Sequence, residues 1–205
     1  MVDTPPLTER SVRIAALGGV IGPIGFVGAW IASAATTSVP YSSVDEAISR
    51  LAAVGADTRW LMTAGFITFG VGLPIYSHAL RATVAGWAWT TAAATGIATL
   101  AVAATPLDRS DTIDTLHGAF ATIGYVTLAA TPLLAARPLQ AAGHRTLAGL
   151  GVAAGVTSAV ALALTPTSLP TGLFQRLGLT AGDIWIVSTA IAITTGRLTV
   201  RRARW

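Results

Sequence analysis

The 205-residue chain contains neither cysteine nor lysine; all 13 basic residues are arginine. Without cysteine there is no disulfide, no thiolate nucleophile and no cysteine-held metal. Without lysine there is no Schiff base, which removes a retinal-binding reading that several apolar helices would otherwise invite. Charge is scarce too. Charged residues make up 11% of the chain against 53% hydrophobic, too few to coat a water-soluble domain of this size. A Gly-rich phosphate loop, a nucleophile elbow and a His-Glu-x-x-His pattern are all missing. No cofactor is expected.

What fills the chain instead is long runs without charge. They predict membrane spans at Ile14–Ala35, Trp60–Leu80, Ala82–Ala104, Gly118–Ala136, Thr146–Thr165 and a shorter one at Ile184–Gly196 that continues into Arg197–Val200. About 20 apolar residues cross the hydrocarbon core as a helix, and a helix satisfies its own backbone there. The expected fold is therefore all-α: a polytopic bundle of six transmembrane helices filling residues 13–200, between a tail of residues 1–12 and a basic tail of residues 201–205.

Charge sorts the loops into two sets. The N-terminus, the second and fourth loops and the C-terminal tail hold nine arginines against Asp3 and Glu9, a balance of +7. The remaining loops hold Arg50, Arg59, Arg109 and Arg176 against seven acids (Asp45, Glu46, Asp57, Asp108, Asp111, Asp114 and Asp183), a balance of −3. The positive-inside rule then puts both termini in the cytoplasm and the acidic loops outside the cell membrane. Trp30, Trp60 and Trp185 fall near outer helix ends, Trp87 and Trp89 near an inner one. The first apolar run is longer than a signal-peptide core, so it is read as retained although Ala32-Ser33-Ala34 offers a cleavage pattern. Gly18, Gly22, Gly25 and Gly28, with Gly151 and Gly155, have the spacing that lets helices approach closely, within one bundle or across a homodimer. Pro23, Pro74 and Pro132 lie inside spans and are expected to kink them.

Two outer loops carry amphipathic patterns. Ser43 and Glu46 form a Ser-x-x-Glu capping box ahead of Val44, Ile48 and Leu51, which predicts a short helix lying on the outer interface. Leu173, Phe174 and Leu177 after Pro170 repeat the theme, and the two elements together could cover the bundle mouth. The loop between them is chemically richest. Asp108, Arg109, Asp111, Asp114 and His117 stand within ten residues, with Asp114 and His117 on one helix face. Those two are candidate metal ligands or an acid–base pair. They are equally a helix N-cap and an interfacial histidine in a structural network with Arg59, Arg109 or Arg176. The candidate outer polar cluster is Arg59, Asp108, Arg109, Asp111, Asp114, His117, Arg176 and Asp183. No ionisable group falls in the middle of a predicted span. His78 and His144 have no carboxylate nearby in sequence and read as interfacial.

Several short motifs, in order, resemble a known family. Tyr41-Ser42-Ser43, Ile48-Ser49-Arg50-Leu51, Trp60-Leu61-Met62 and Gly65-Phe66 with Gly70 resemble the opening of the prokaryotic six-helix membrane family catalogued as domain of unknown function 998. Pro106-Leu107-Asp108 with His117-Gly118 is similar to its central signature, and Gln175-Arg176 followed by Trp185 to its last loop and helix. The resemblance runs from Ser11 to Arg197. It implies an architecture like that of the Frag, DRAM and Sfk membrane proteins, linked loosely to lipid organisation and membrane trafficking. Some members carry a second histidine four positions after the first; here that position is Ala121, which weakens a paired-histidine metal site.

Three functions follow in order. A lipid-interacting or accessory membrane protein, with lipids, a second copy or another membrane protein as partners and no nucleic acid, needs only what the sequence supplies. A membrane-embedded hydrolase, with or without a metal, would work through the Asp108–His117 loop. A small-solute transporter comes third, for want of an inverted repeat or an intramembrane charge.

Overall fold

The computed structural model describes residues 8–201; the outermost parts of both tails, with Asp3, Arg202 and Arg204, lie outside the described residues. Among the described residues every regular element is helical: α1 (Glu9–Ala16), α2 (Gly18–Thr36), a 3₁₀ turn (Ile48–Ala52), α3 (Arg59–Thr83), α4 (Ala88–Ala104), α5 (Asp111–Ala141), α6 (Arg145–Leu164) and α7 (Thr171–Thr194). Five helical segments are long and apolar enough to cross a membrane, α1 and α2 counting as one, and α4 is a shorter apolar helix. By the length and composition of these helices the chain is a multi-pass membrane protein. Each helix from α2 to α6 packs against the next in sequence, and a sparser seam between α2 and α7 closes the ring.

Glycines set the closest approaches. A Cβ on Gly18 would stand 2.4 Å from the Gly72 carbonyl, and one on Gly155 2.9 Å from the Ala129 carbonyl, so α2–α3 and α5–α6 touch backbone to backbone. The glycine spacing thus serves packing within the bundle at Gly18, Gly22, Gly151 and Gly155, while a side chain at Gly28 would meet open space.

Several element boundaries depart from the sequence reading. The first span is two helices because the ladder tightens at Leu17, whose N–H reaches the Ile14 carbonyl, three residues back, at 3.1 Å. Helix formation starts at Glu9, inside the expected tail, where the Thr8 hydroxyl accepts from the Ser11 N–H. The third span loses its first turns. Val84 is extended and Gly86 takes φ +88°, so the chain turns there and α4 keeps 17 residues.

The last span starts 13 residues earlier than expected, at Thr171, because Arg176 and Asp183 interrupt the hydropathy without interrupting the backbone ladder. Leu173, Phe174 and Leu177 are therefore the opening turns of α7, with no separate lid element. At its other end the helix stops at Thr194 instead of running on to Val200, since Gly196 adopts φ +76° and Leu198 N–H folds back to Ala192. The expected interfacial helix in the first loop is also replaced. Glu46 closes on the Ser42 N–H at 2.8 Å to make an isolated turn, and Ile48 and Leu51 are buried in the 3₁₀ turn instead of facing lipid.

Candidate functional site

The loops at one end of the bundle fold into a cap. Val54 N–H bonds Leu107, joining the loop of residues 37–58 to that of 105–110, and Leu173 N–H bonds Val44, tying the first loop to α7. Arg176 is the clamp. Its Nη1 donates to the carbonyls of Ser43 (2.7 Å), Glu46 (3.1 Å) and Gly172 (3.0 Å), and its Nη2 donates to the Tyr41 hydroxyl. The guanidinium also stacks 5.1 Å from the centre of the Trp30 ring. Burial pushes the Tyr41 hydroxyl above its ordinary pKa, against the hydrogen bond and charge of Arg176, which pull it down. On the cap surface the Asp57 carboxylate is held down to about 2, first by the Ser38 N–H, then by the Ser38 and Thr37 hydroxyls.

The predicted polar residues divide among several places. Asp108 holds φ +62°, an uncommon conformation outside glycine, fixed by two contacts: its N–H donates to Asp114 Oδ1 at 3.0 Å and its carboxylate receives Arg50 at 2.9 Å. Ser110, not Asp114, is the N-cap of α5, accepting from the Ile113 N–H. Asp111 is exposed in the first turn of α5, where the helix dipole favours an acid. Arg109 is exposed, and Arg59 lies 5.2 Å over the ring of its neighbour Trp60; among the described residues neither makes an ion pair. Arg176 bonds the first loop and none of the predicted acids.

Asp183 is a correction. It is the thirteenth of the 24 residues of α7, about 18 Å along the helix at ~1.5 Å per residue, and so belongs to no outer cluster. It is buried, and among the described residues neither carboxylate oxygen has a hydrogen-bond partner. The expectation that no ionisable group lies mid-span is thereby overturned. Trp185 is likewise not a belt residue. It is fully buried and donates to the Leu147 carbonyl at 3.2 Å, whereas Trp60 and Trp87 are exposed at bundle ends as interfacial residues are.

Beneath the cap lies a cavity of about 60 Å³. At roughly 10–15 Å³ per molecule that is room for a few waters, or for the end of one hydrocarbon chain. Phe26, Phe66, Phe69, Phe120 and Val102 make its wall mostly apolar. His117 enters it from α5, buried, with Nδ1 2.6 Å from the Thr105 carbonyl at the end of α4. A carbonyl can only accept, so in the neutral ring Nδ1 carries the proton and Nε2 is left as an acceptor. Gln175 also lines the cavity. Its Oε1 accepts the Ile48 N–H at 2.7 Å and its Nε2 donates to the Tyr125 hydroxyl.

No aspartate or glutamate lines the cavity. Among the described residues no group of three or more His, Asp or Glu stands close enough to hold a metal ion, and Asp114 is turned to the Asp108 N–H. The arrangement can bind and orient an apolar molecule through a few polar groups, among them His117 and the Ser49 hydroxyl, which also lines the cavity. Sequence reasoning singled out none of Gln175, Tyr125 and Arg50 as part of the site. The signal for Gln175 was its place beside Arg176 at the head of the last apolar stretch; Tyr125 in the fourth span had none.

No curated protein and no solved structure matches the chain. Residues 20–192 match the family described as Protein of unknown function (DUF998), from the third residue of α2 to two residues short of the end of α7. The chain belongs to that family.

Proposed function

We propose that the protein is a lipid-interacting component of a prokaryotic cell membrane, with both termini in the cytoplasm and the cap outside. Charge supports this orientation. The cap end holds four arginines (50, 59, 109, 176) against six acids, while the described residues of the other end hold seven arginines against Glu9. The observation that carries the lipid reading is the mostly apolar cavity beneath the cap, with aromatic walls and a free acceptor in His117 Nε2. Such a site suits an acyl chain end or a small amphiphile whose hydroxyl meets the imidazole.

The test is native mass spectrometry of the protein released from lipid nanodiscs. A Cβ at Gly124 meets only Ala98 at 3.7 Å, so Gly124→Leu fills the cavity without striking backbone. Wild type is expected to retain a lipid through a release that strips the variant. A wild-type protein that emerges bare under the same conditions overturns the reading.

A further inference from the structure

α7 faces α2 across a groove that opens on the lipid side of the bundle. Its lining is mostly apolar, with Pro23, Val27 and Ile31 of α2 and Ile184 of α7; Asp183 stands among them, and Thr180 and Ser188 are the other polar residues there. The groove is open at Gly28, where a side chain would touch nothing. The carboxylate is more than nine-tenths buried, and both its oxygens lack a partner among the described residues.

The neighbours offer it no counter-charge. α2 carries no titratable residue, and α6 carries only Arg145, at the arginine-rich end. On α3, Arg59 stands at the cap, and His78 and Arg81 near the opposite end; at depth there is Tyr76, bonded to Thr189. On α5, Asp111 and Asp114 stand at the cap and Arg137 at the far end. Its His117 faces Thr105, and Tyr125 is engaged by Gln175. The residues of α1 that bear charge, Glu9, Arg10 and Arg13, are at the arginine-rich end. In the 3₁₀ turn Arg50 is paired with Asp108, and on α7 itself Arg176 is spent on the cap.

The size and chemistry of the site select its ligand. A metal cation needs about six oxygen donors, and here one carboxylate stands alone. A basic side chain from another helix would have to reach oxygens that a water-sized molecule does not reach. A proton needs one oxygen and no room. An unpaired carboxylate charge in an apolar wall is far costlier than the neutral acid. We propose that Asp183 is an intramembrane proton-binding site on the wall of the α2–α7 groove, occupied in the closed bundle at neutral pH. Release of that proton leaves a charge that nothing in the closed seam holds, so uptake and release are linked to how tightly α2 and α7 meet.

Infrared spectroscopy of the full chain in lipid bilayers tests this directly. At pH 7 a protonated carboxylic-acid carbonyl band is expected, shifted by isotope-labelled aspartate, absent in Asp183→Asn, and lost as the pH is raised while the amide bands stay unchanged. The isotope shift identifies the band even if Asp183→Asn fails to fold. An aspartate signal wholly ionised at pH 7 overturns the proposal, as does an acid band that persists until the protein unfolds. Opening of the α2–α7 seam, which is needed to uncover the Asp183 oxygens from the groove, is read with dicyclohexylcarbodiimide dissolved in the lipid, which adds to protonated carboxyls. Labelling at Asp183 is expected to fall several-fold in Gly28→Leu, with the acid band retained. Labelling equal in both proteins overturns the groove as the route.

Discussion

Arg176 and Asp183 stand on the same helix, seven residues and about 10 Å apart. The first gives its Nη groups to three carbonyls and a hydroxyl, with an indole face beneath it; only Nε lacks a partner. The second has no partner among the described residues. Both interrupt the hydropathy of α7 equally, yet one is part of what assembles the cap and the other is a cost carried inside the bundle. A charge in an apolar helix therefore has no fixed meaning. Its satisfied hydrogen bonds distinguish a structural clamp from a group kept for another reason.

The largest expected effect comes from cutting the clamp. Arg176→Met leaves the Ser43 and Glu46 carbonyls unpaired and removes the stack on Trp30, and should lower unfolding stability in mild detergent by about 3–4 kcal/mol. Arg176→Lys keeps the charge but lacks the planar fork, so it should recover less than half of that loss. Equal stability of Arg176→Met and wild type would break the comparison at once.

Next in size is the contrast between the tight packing of α3 on α2 and the open packing along α2 at Gly28. Gly72→Ala drives a methyl to 2.7 Å from the Gly18 carbonyl and should cost about 2–3 kcal/mol, while Gly28→Ala enters open space and should be close to neutral. Similar losses for the two would mean that the α2–α7 groove is not open. Asp183→Leu works in the opposite direction. Removing an unpartnered buried polar group should raise stability by about 1–2 kcal/mol. A fall instead would show that the carboxylate has a stabilising partner. The exposed Arg50–Asp108 pair is expected to matter little: Arg50→Ala should cost less than about 1 kcal/mol by the same unfolding measurement.

The smallest effect is one of pH. Asp57 is held at about 2 in the folded cap, below its ordinary value of 3.8, so its contribution is fully present above about pH 4 and is lost as the pH falls toward 2. Hydrogen exchange of the Ser38 N–H, which Asp57 accepts at 2.7 Å, should accelerate over that window in wild type beyond its intrinsic rate, and Asp57→Asn should remove the acceleration.

The sequence announced an all-helical chain of apolar segments because a bilayer needs long charge-free runs, and those runs are visible without any tertiary knowledge. It misplaced the start of α7 for the same reason: Arg176 and Asp183 read as loop markers on a hydropathy scale, though neither disturbs an i to i−4 ladder. The loss of the first turns of α4 follows from Gly86, whose positive φ turns the chain where the apolar run continues. At the site, His117 was legible because it follows Asp114 by three residues in the loop richest in polar groups. Its partner, the Thr105 carbonyl, was not, because a backbone carbonyl twelve residues away leaves no mark in the residue types. Gln175 was hidden likewise, since what it accepts is the N–H of Ile48.

The depth of Asp183 is the point on which most rests, and the absence of cysteine makes it accessible to measurement. Single cysteines at Leu177, Ile184 and Ile191, all exposed on the outer face of α7, can be spin-labelled in bilayers. Their relative accessibility to oxygen and to a water-soluble nickel chelate then reports depth. The three sites are spaced about 10 Å apart along the helix. The oxygen-to-nickel ratio should be highest at 184, beside Asp183, and lower at both 177 and 191. A ratio at 184 as low as at 177 would return Asp183 to the water interface and contradict its place as an unpaired carboxyl inside the membrane.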